Sequence, residues 1–188
     1  MNKLSVYVAV GALALALTGC AGVASTPGED DPASTTSTLT PSEASPEEAS
    51  STESSFVDNV LTTPEFTIKI TSYRVIPVGQ AGNEYGSKPV IAFWYDVTNL
   101  TDADIDPMQW LFVFTAVQDN DPNAVNELQV GGLPDVAFLD TQTQTIKKGG
   151  TVSNAVAYDL DDETTPVELI ASDDFGMTEI GRITFNLQ

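Results

Sequence analysis

Hydrophobic periodicity constrains the fold of this chain more than any other feature. Between residues 56 and 188, no window of a dozen residues keeps its apolar side chains at helical spacing. Short β-branched and aromatic runs recur instead between residues that favour turns. In the run 65–70, Phe66, Ile68 and Ile70 alternate with polar side chains, as they do in a strand with one buried face. The pattern therefore predicts an all-β domain.

The β-strands are predicted where such runs lie between turn signals. They cover residues 65–70 and 73–75, 90–95, 110–117, 136–139, 142–146, 152–160, 167–171 and 179–187. The alternation changes phase at Thr71 and Ser72, which predicts a β-bulge. The strand 90–95 is apolar on both phases, so it is predicted to be central and covered on both faces for part of its length. Gly149 and Gly150 indicate a tight hairpin turn, because glycine adopts positive φ angles without strain.

Roughly eight short strands in about 130 residues, separated by Pro and Gly, are typical of a two-sheet β-sandwich. A domain of this size buries about two thirds of its surface, so it needs no disulfide to fold. We therefore predict an immunoglobulin-like β-sandwich over residues 56–188, without the Cys pair of antibody domains. Trp94 and Trp110 lie inside strong strand patterns, so both are predicted to pack in the core.

The first 19 residues are predicted to be a lipoprotein signal peptide. Lys3 is their only charge, and the uncharged run 4–17 is shorter than the roughly 20 residues of a membrane-spanning helix. The run ends at Leu17-Thr18-Gly19-Cys20, which resembles the bacterial lipobox, whose Cys receives a diacylglyceryl group. The alternative, an ordinary secretory signal, would leave a lone exposed thiol. Two acyl chains on Cys20 would anchor the protein stably to the outer face of the cytoplasmic membrane, with its domain facing the cell wall or the exterior.

Residues 20–55 are predicted to be the lipid-anchor Cys followed by a disordered linker. Residues 21–55 contain 15 Ser or Thr, 4 Pro and 7 acids, and their only large aliphatic residues are Val23 and Leu39. Such a segment cannot bury enough apolar surface to offset the entropy lost on ordering. Its Ser, Thr and Pro content also allows O-linked glycosylation, with an unmodified spacer as the other interpretation.

Charge and composition exclude several classes of function. The chain has 27 Asp or Glu against 7 Lys or Arg, a formal net charge of -20, no His and one Cys. Without His there is no Ser-His or Cys-His nucleophile pair. So few cations predict no nucleic-acid partner, because phosphate binding depends on the cations that a protein supplies. We therefore predict that the protein is not an enzyme, with hydrolysis by a carboxylate pair as the alternative.

Two features are candidate binding sites. Asp102, Asp104 and Asp106 carry oxygen ligands of the type that calcium prefers, although a helix-loop-helix calcium loop would need Gly in place of Pro107. No cofactor is predicted, and calcium on these carboxylates is the alternative. The second feature is Tyr85 in the glycine-containing loop 79–88, which is a candidate contact for a ligand or partner.

Four segments carry a resemblance to a known family. They are Phe93 to Asn99 with Thr101, Ala116 to Asn120, Ile146 to Thr151, and Tyr158 to Asp162 with Thr164 to Val167. In this order they resemble uncharacterised, mostly Gram-positive lipoproteins that form a family of unknown function. Its relatives include the immunoglobulin-like sandwich of small secreted mycobacterial antigens. The resemblance implies an exported sandwich and carries over no catalytic residue.

Together these observations predict a lipid-anchored, non-enzymatic surface module. Its partners would be the membrane, through Cys20, and an unidentified envelope or extracellular protein or ligand. The alternative is a cell-envelope hydrolase or a calcium-dependent binder that uses the acidic loops. Two buried acids converging in one pocket would favour the hydrolase.

Overall fold

The structure is a computed structural model that describes residues 53–174 and 176–187. The predicted signal peptide, the lipobox and most of the predicted linker lie outside these residues. The strands are β1 (Ser55–Val57), β2 (Val60–Thr62), β3 (Phe66–Ile76), β4 (Val90–Asn99), β5 (Phe114–Gln118), β6 (Asn126–Glu127), β7 (Thr151–Asp159), β8 (Val167–Ser172) and β9 (Glu179–Phe185). They form two antiparallel sheets, in the orders β1-β2-β3-β4-β7 and β6-β5-β8-β9. The prediction of an all-β sandwich is confirmed.

The connectivity of the strands is immunoglobulin-like. β3, β4 and β7 are neighbours in the first sheet, and β5, β8 and β9 are neighbours in the second, so the chain repeatedly crosses between the sheets. Residues 129–131 run along the free edge of β7, where Val130 forms an antiparallel bridge with Tyr158. In the four-stranded sheet of an immunoglobulin fold, the strand that follows the equivalents of β3, β4 and β7 in the strand order lies at this position. The β1–β2 hairpin is an addition on the side of β3.

Local sequence explains two features of the first sheet. Asp58 and Asn59 join β1 to β2 with φ angles of 52° and 64°, the conformation that a two-residue hairpin turn requires. The register of β3 against β4 shifts between Ile70 and Ser72, so the predicted bulge is confirmed. The shift lets Tyr73 follow Ile70 towards the inner face of the sheet.

Aromatic side chains dominate the core between the sheets. Trp110 is fully buried, and its ring lies 4.4 Å from that of Tyr95 and 4.5 Å from that of Phe114. Its Nε1 donates to the Tyr158 hydroxyl at 2.8 Å, while the Tyr95 hydroxyl donates to the Pro107 carbonyl at 2.9 Å. Burial raises the pKa of both tyrosines, so both stay neutral at physiological pH.

β4 is covered on both faces along its first half, as its sequence predicts. Ile91 and Phe93 face the core, while Val90 and Ala92 pack in a second small cluster on the outer face. Trp94 joins that outer cluster and is half-buried, so its predicted position in the core is wrong. Its indole Nε1 lies 3.3 Å from Asp135 Oδ2, and the Arg74 guanidinium lies 5.0 Å from the indole centroid.

Three predicted strand segments have other structures. Residues Pro107–Gln109 form a 3-10 turn that continues into the short helix α1 (Trp110–Val113), so β5 begins only at Phe114. Val136–Phe138 is also a 3-10 turn, capped by Asp135. Between residues 142 and 146 only Ile146 pairs, in a single bridge with Ile105. In the described part of the chain, no helix is both long and apolar enough to cross a bilayer.

Candidate functional site

Asn99, in the first of the family-like segments, braces a crossing between the sheets. Its side chain is buried, and its Nδ2 donates to the carbonyls of Ala103 and Ile146, each at 2.8 Å. Its Oδ1 accepts from the Thr101 N–H at 2.8 Å. The amide thus supplies hydrogen bonds to backbone groups that lie outside the nine strands. The role of the Asn99 side chain is therefore architectural.

Gln118, in the second family-like segment, has the same role at another crossing, from β7 to β8. Its side chain is fully buried, and its Nε2 donates to the carbonyls of Asp162 and Thr165 at 3.0 and 2.8 Å. Its Oε1 accepts from the N–H groups of Asp161 and Asp162 at 2.8 and 3.4 Å. This one side-chain amide therefore makes four hydrogen bonds to the loop between β7 and β8.

The carboxylates predicted as calcium ligands have different roles. Asp102 is exposed and pairs with Lys148 at 3.0 Å. Asp106 Oδ1 accepts from the Met108 N–H at 2.9 Å and caps the 3-10 turn, while Asp104 is exposed. Among the residues that the structure describes, no three His, Cys, Asp or Glu residues form a group that could hold a metal ion. Calcium at these residues stays a prediction.

The hydrolase alternative would need carboxylates in a desolvated pocket. Within residues 53–174 and 176–187, the buried polar residues are Thr63, Asn83, Asn99, Gln118, Asn154 and Ser172, and none carries a carboxylate. A carboxyl group that serves as a general acid is raised in pKa by burial or by a neighbouring anion. The described residues offer no such pair.

Tyr85 lies on a loop that is fixed in shape. The Asn83 side chain is buried and donates to the carbonyls of Ile76 and Lys88 at 3.0 and 2.9 Å, which ties the ends of the loop together. A Cβ at Gly86 would lie 1.8 Å from Asn83 Oδ1, so any other residue here would displace the Asn83 side chain. Tyr85 itself is fully exposed. The predicted contact residue is therefore presented to solvent from a braced loop.

An apolar groove lies elsewhere, at one end of the sandwich. We call it the Phe112 groove; it has a volume of about 560 Å³. It runs between the turn that joins β2 to β3 and the helix α1. Its lining residues are Thr63, Pro64, Glu65, Phe66, Gln109, Phe112, Val113 and Asp173. The Phe112 side chain is 53% exposed, whereas Phe66 and Val113 belong to the buried core.

The helical turn explains why Phe112 lies at the surface. Asp106 caps the turn, and Pro107 starts it with the φ angle that a helix needs. Pro107, Trp110 and Val113 follow at intervals of three residues and are buried, which leaves Leu111 and Phe112 outside. The strand predicted for residues 110–117 does not place Phe112 on the opposite side from Trp110. The Asp-Pro pair was the signal that could have revealed the helical turn.

Comparison with known proteins identifies the family. Residues 41–173 match the family model described as a domain of unknown function, DUF5067. The chain belongs to this family. The match begins within the segment that composition predicts to be a linker, and no curated protein matches the chain.

Two solved structures share the fold. One is a candidate lipoprotein from Staphylococcus aureus subsp. aureus NCTC 8325, with 21% identity, a TM-score of 0.61, and coverage of 71% of this chain and 92% of that one. The other is a protein from Enterococcus faecalis, with 19% identity, a TM-score of 0.53, and coverage of 77% of this chain and 100% of that one. At such identities the likeness concerns the fold alone. The relation to mycobacterial antigens stays a prediction.

Proposed function

We propose that this DUF5067 protein is a lipid-anchored, extracytoplasmic binding module that holds its ligand in the Phe112 groove. The observation that carries the proposal is an exposed aromatic side chain on the wall of an apolar groove of about 560 Å³. Exposed aromatic residues beside apolar concavities are frequent anchors of binding surfaces. The braced Tyr85 loop is a second contact region, away from the groove.

The lipid anchor is supported by the Leu17–Cys20 motif at the end of an uncharged run. The name of the Staphylococcus aureus structure, a candidate lipoprotein, agrees with it. We expect the Cys20→Ala variant to leave the detergent-rich phase of a Triton X-114 partition, since it cannot receive the two acyl chains that make anchoring stable. Equal partition of the variant and the wild type would contradict the anchor.

Binding without catalysis is supported by the placement of the polar groups. The buried amides of Asn99 and Gln118 are saturated by backbone partners, so neither is available to a substrate. The groove contains carboxylates of Glu65 and Asp173, but both residues are exposed. Neither residue therefore lies in the desolvated surroundings that a carboxylic general acid needs.

A photo-reactive phenylalanine analogue tests the binding surface in living cells. We expect the analogue at position 112 to form a covalent adduct with the envelope ligand under illumination. The matched control carries the same analogue at Val136, which is 84% exposed and lies outside the groove. No adduct from position 112, or the same adduct from both positions, would contradict a binding role for the groove.

A further inference from the structure

We propose that the ligand of the Phe112 groove is a peptide segment in which Lys or Arg stands next to an apolar residue. This inference rests on the proposed function and adds the chemical class of the partner. It follows from three properties of the groove: its apolar wall, its uncompensated negative charge and its side-chain amide.

The wall is suited to an apolar side chain of moderate size. Pro64 and Phe112 line it together with Phe66 and Val113, which belong to the buried core. Burying apolar surface between such groups supplies roughly 25 cal/mol per Å². Phe66 lies in β3, and Phe112 and Val113 lie in α1, so the ligand does not have to order this part of the wall.

The charge of the groove is negative and uncompensated. Glu65 and Asp173 line it, and none of the Lys or Arg residues in the described part of the chain does. The Glu65 carboxylate forms no hydrogen bond or ion pair within that part of the chain. Asp173 accepts only from the Ser54 hydroxyl, at 2.8 Å, through Oδ2. A Lys or Arg side chain beside the apolar anchor therefore meets two carboxylates that have no cation of their own.

The whole domain favours the same partner. Residues 56–188 carry 20 acids and 6 bases, which gives a net charge of -14. Such a field accelerates encounter with a cationic segment and opposes polyanions. It also opposes approach to an anionic membrane surface. A basic peptide is thus the class of ligand that both the groove and its surroundings attract.

The groove also contains an amide that has no partner. The Gln109 side chain is half-buried in the groove and makes no hydrogen bond within the residues described. A side-chain amide offers one acceptor and two donors, which complements the N–H and C=O of a peptide group. Gln109 therefore supplies the contact that an extended peptide backbone needs beside its anchored side chain.

The direct test is fluorescence anisotropy with the lipidated full-length protein in phosphatidylcholine nanodiscs, with empty nanodiscs as the blank. The probe is a fluorescein-labelled six-residue peptide that alternates leucine and lysine. Two matched peptides replace lysine by glutamate or leucine by serine. We expect each replacement to weaken binding roughly tenfold, since each removes one of the two complementary properties.

Variants of equal net charge distinguish binding by the groove carboxylates from attraction by the negative charge of the whole domain. Glu65→Gln with Asp173→Asn should weaken binding of the leucine-lysine peptide roughly tenfold, from two partly desolvated ion pairs. The control, Asp140→Asn with Glu163→Gln, changes the net charge equally at exposed residues outside the groove and should alter affinity less than about twofold. Equal effects of the two pairs would show attraction to the whole acidic surface and overturn the proposal.

The remaining outcomes distinguish this inference from the proposed function. If the leucine-glutamate peptide binds as tightly as the leucine-lysine peptide and Phe112→Ser weakens both, the groove binds peptides and the charge inference is wrong. If no peptide binds while position 112 still gives an adduct in cells, the groove takes a ligand of another class. If position 112 gives no adduct either, the binding function fails as well. Melting temperatures of all variants, compared with the wild type, exclude unfolding as the cause.

Discussion

Replacing Gln118 by Met tests whether one buried amide holds the crossing from β7 to β8. Methionine has nearly the same volume, so the change removes hydrogen bonds without creating a large cavity. Three bonds of 2.8 to 3.0 Å and one of 3.4 Å are lost, and the backbone groups at the other ends stay inside the loop. At about 1 kcal/mol for each good bond, the free energy of unfolding should fall by about 3 kcal/mol. For a domain of this size that corresponds to a melting temperature about 10 °C lower.

Urea denaturation followed by tryptophan fluorescence measures this loss, because Trp110 is fully buried in the folded domain. The matched control is Gln144→Met, the same substitution at an exposed side chain with no hydrogen bond in the described structure. We expect the control to change stability by less than about 0.5 kcal/mol. A loss below about 1 kcal/mol for Gln118→Met, with an unchanged m-value, would refute the bracing role.

Three further predictions concern a turn, a pH dependence and a metal. Gly149→Ala should lower the free energy of unfolding by about 1 kcal/mol, because Gly149 has a φ of 73°. The control Gly132→Ala has equally open space around its Cβ and should leave the free energy of unfolding unchanged. Equal denaturation midpoints of the two variants would refute this. Hydrogen bonds from the Thr165 N–H, and then from Asn120 and Thr164, lower the pKa of Asp162. Its ionised form therefore stabilises the fold fully at pH 7, and this stabilisation is lost as the pH falls below about 4. The stability of Asp162→Ala, followed by circular dichroism, should therefore fall less steeply with decreasing pH than that of the wild type. Calcium at millimolar concentration should leave the melting temperature unchanged relative to chelator, since Asp102 and Asp106 already have partners, and a rise abolished by Asp104→Asn would restore the calcium site.

The sequence predicts the sheets well where alternation and burial agree. Residues 65–70 place three apolar side chains on one face, and the structure buries all three. The phase change at Thr71 and Ser72 marks the bulge because a strand with period two can shift its phase only by an extra residue. The apolar pattern of 90–95 likewise reports a strand with neighbours on both faces. In these segments local pattern and tertiary contact favour the same state.

Prediction fails where a short apolar run follows a capping residue. Residues 110–113 and 136–138 are apolar enough for strands, but Asp106 and Asp135 accept the first N–H groups of helical turns. A run of four residues has no periodicity that separates the two states. The hairpin at Asp58 and Asn59 was missed for a related reason, since each of its strands has only three residues.

The Phe112 groove could not be predicted from the sequence because it depends on the direction in which the side chains of residues 110–113 point. If residues 110–117 were a strand, Trp110 and Phe112 would share one face. A turn with three residues per repeat separates them instead, so that Trp110 enters the core and Phe112 faces outward. The position of Gln109 beside the groove follows from the same turn. One misassigned turn therefore hid both groups that the peptide proposal requires.

Amides occupy most of the buried polar positions and carboxylates the exposed ones, which explains why the acidic composition says little about chemistry. The crossings from β4 to β5 and from β7 to β8 need groups that both donate and accept inside the fold, and Asn99 and Gln118 do this without the cost of burying a charge. A carboxylate in either place would offer no donor to the backbone carbonyls. In residues 53–174 and 176–187, every Asp and Glu is exposed or only half-buried. Their effect on function is then collective, as a negative electrostatic field around a few apolar surfaces. Selectivity for a ligand must come from the shape of sites such as the Phe112 groove.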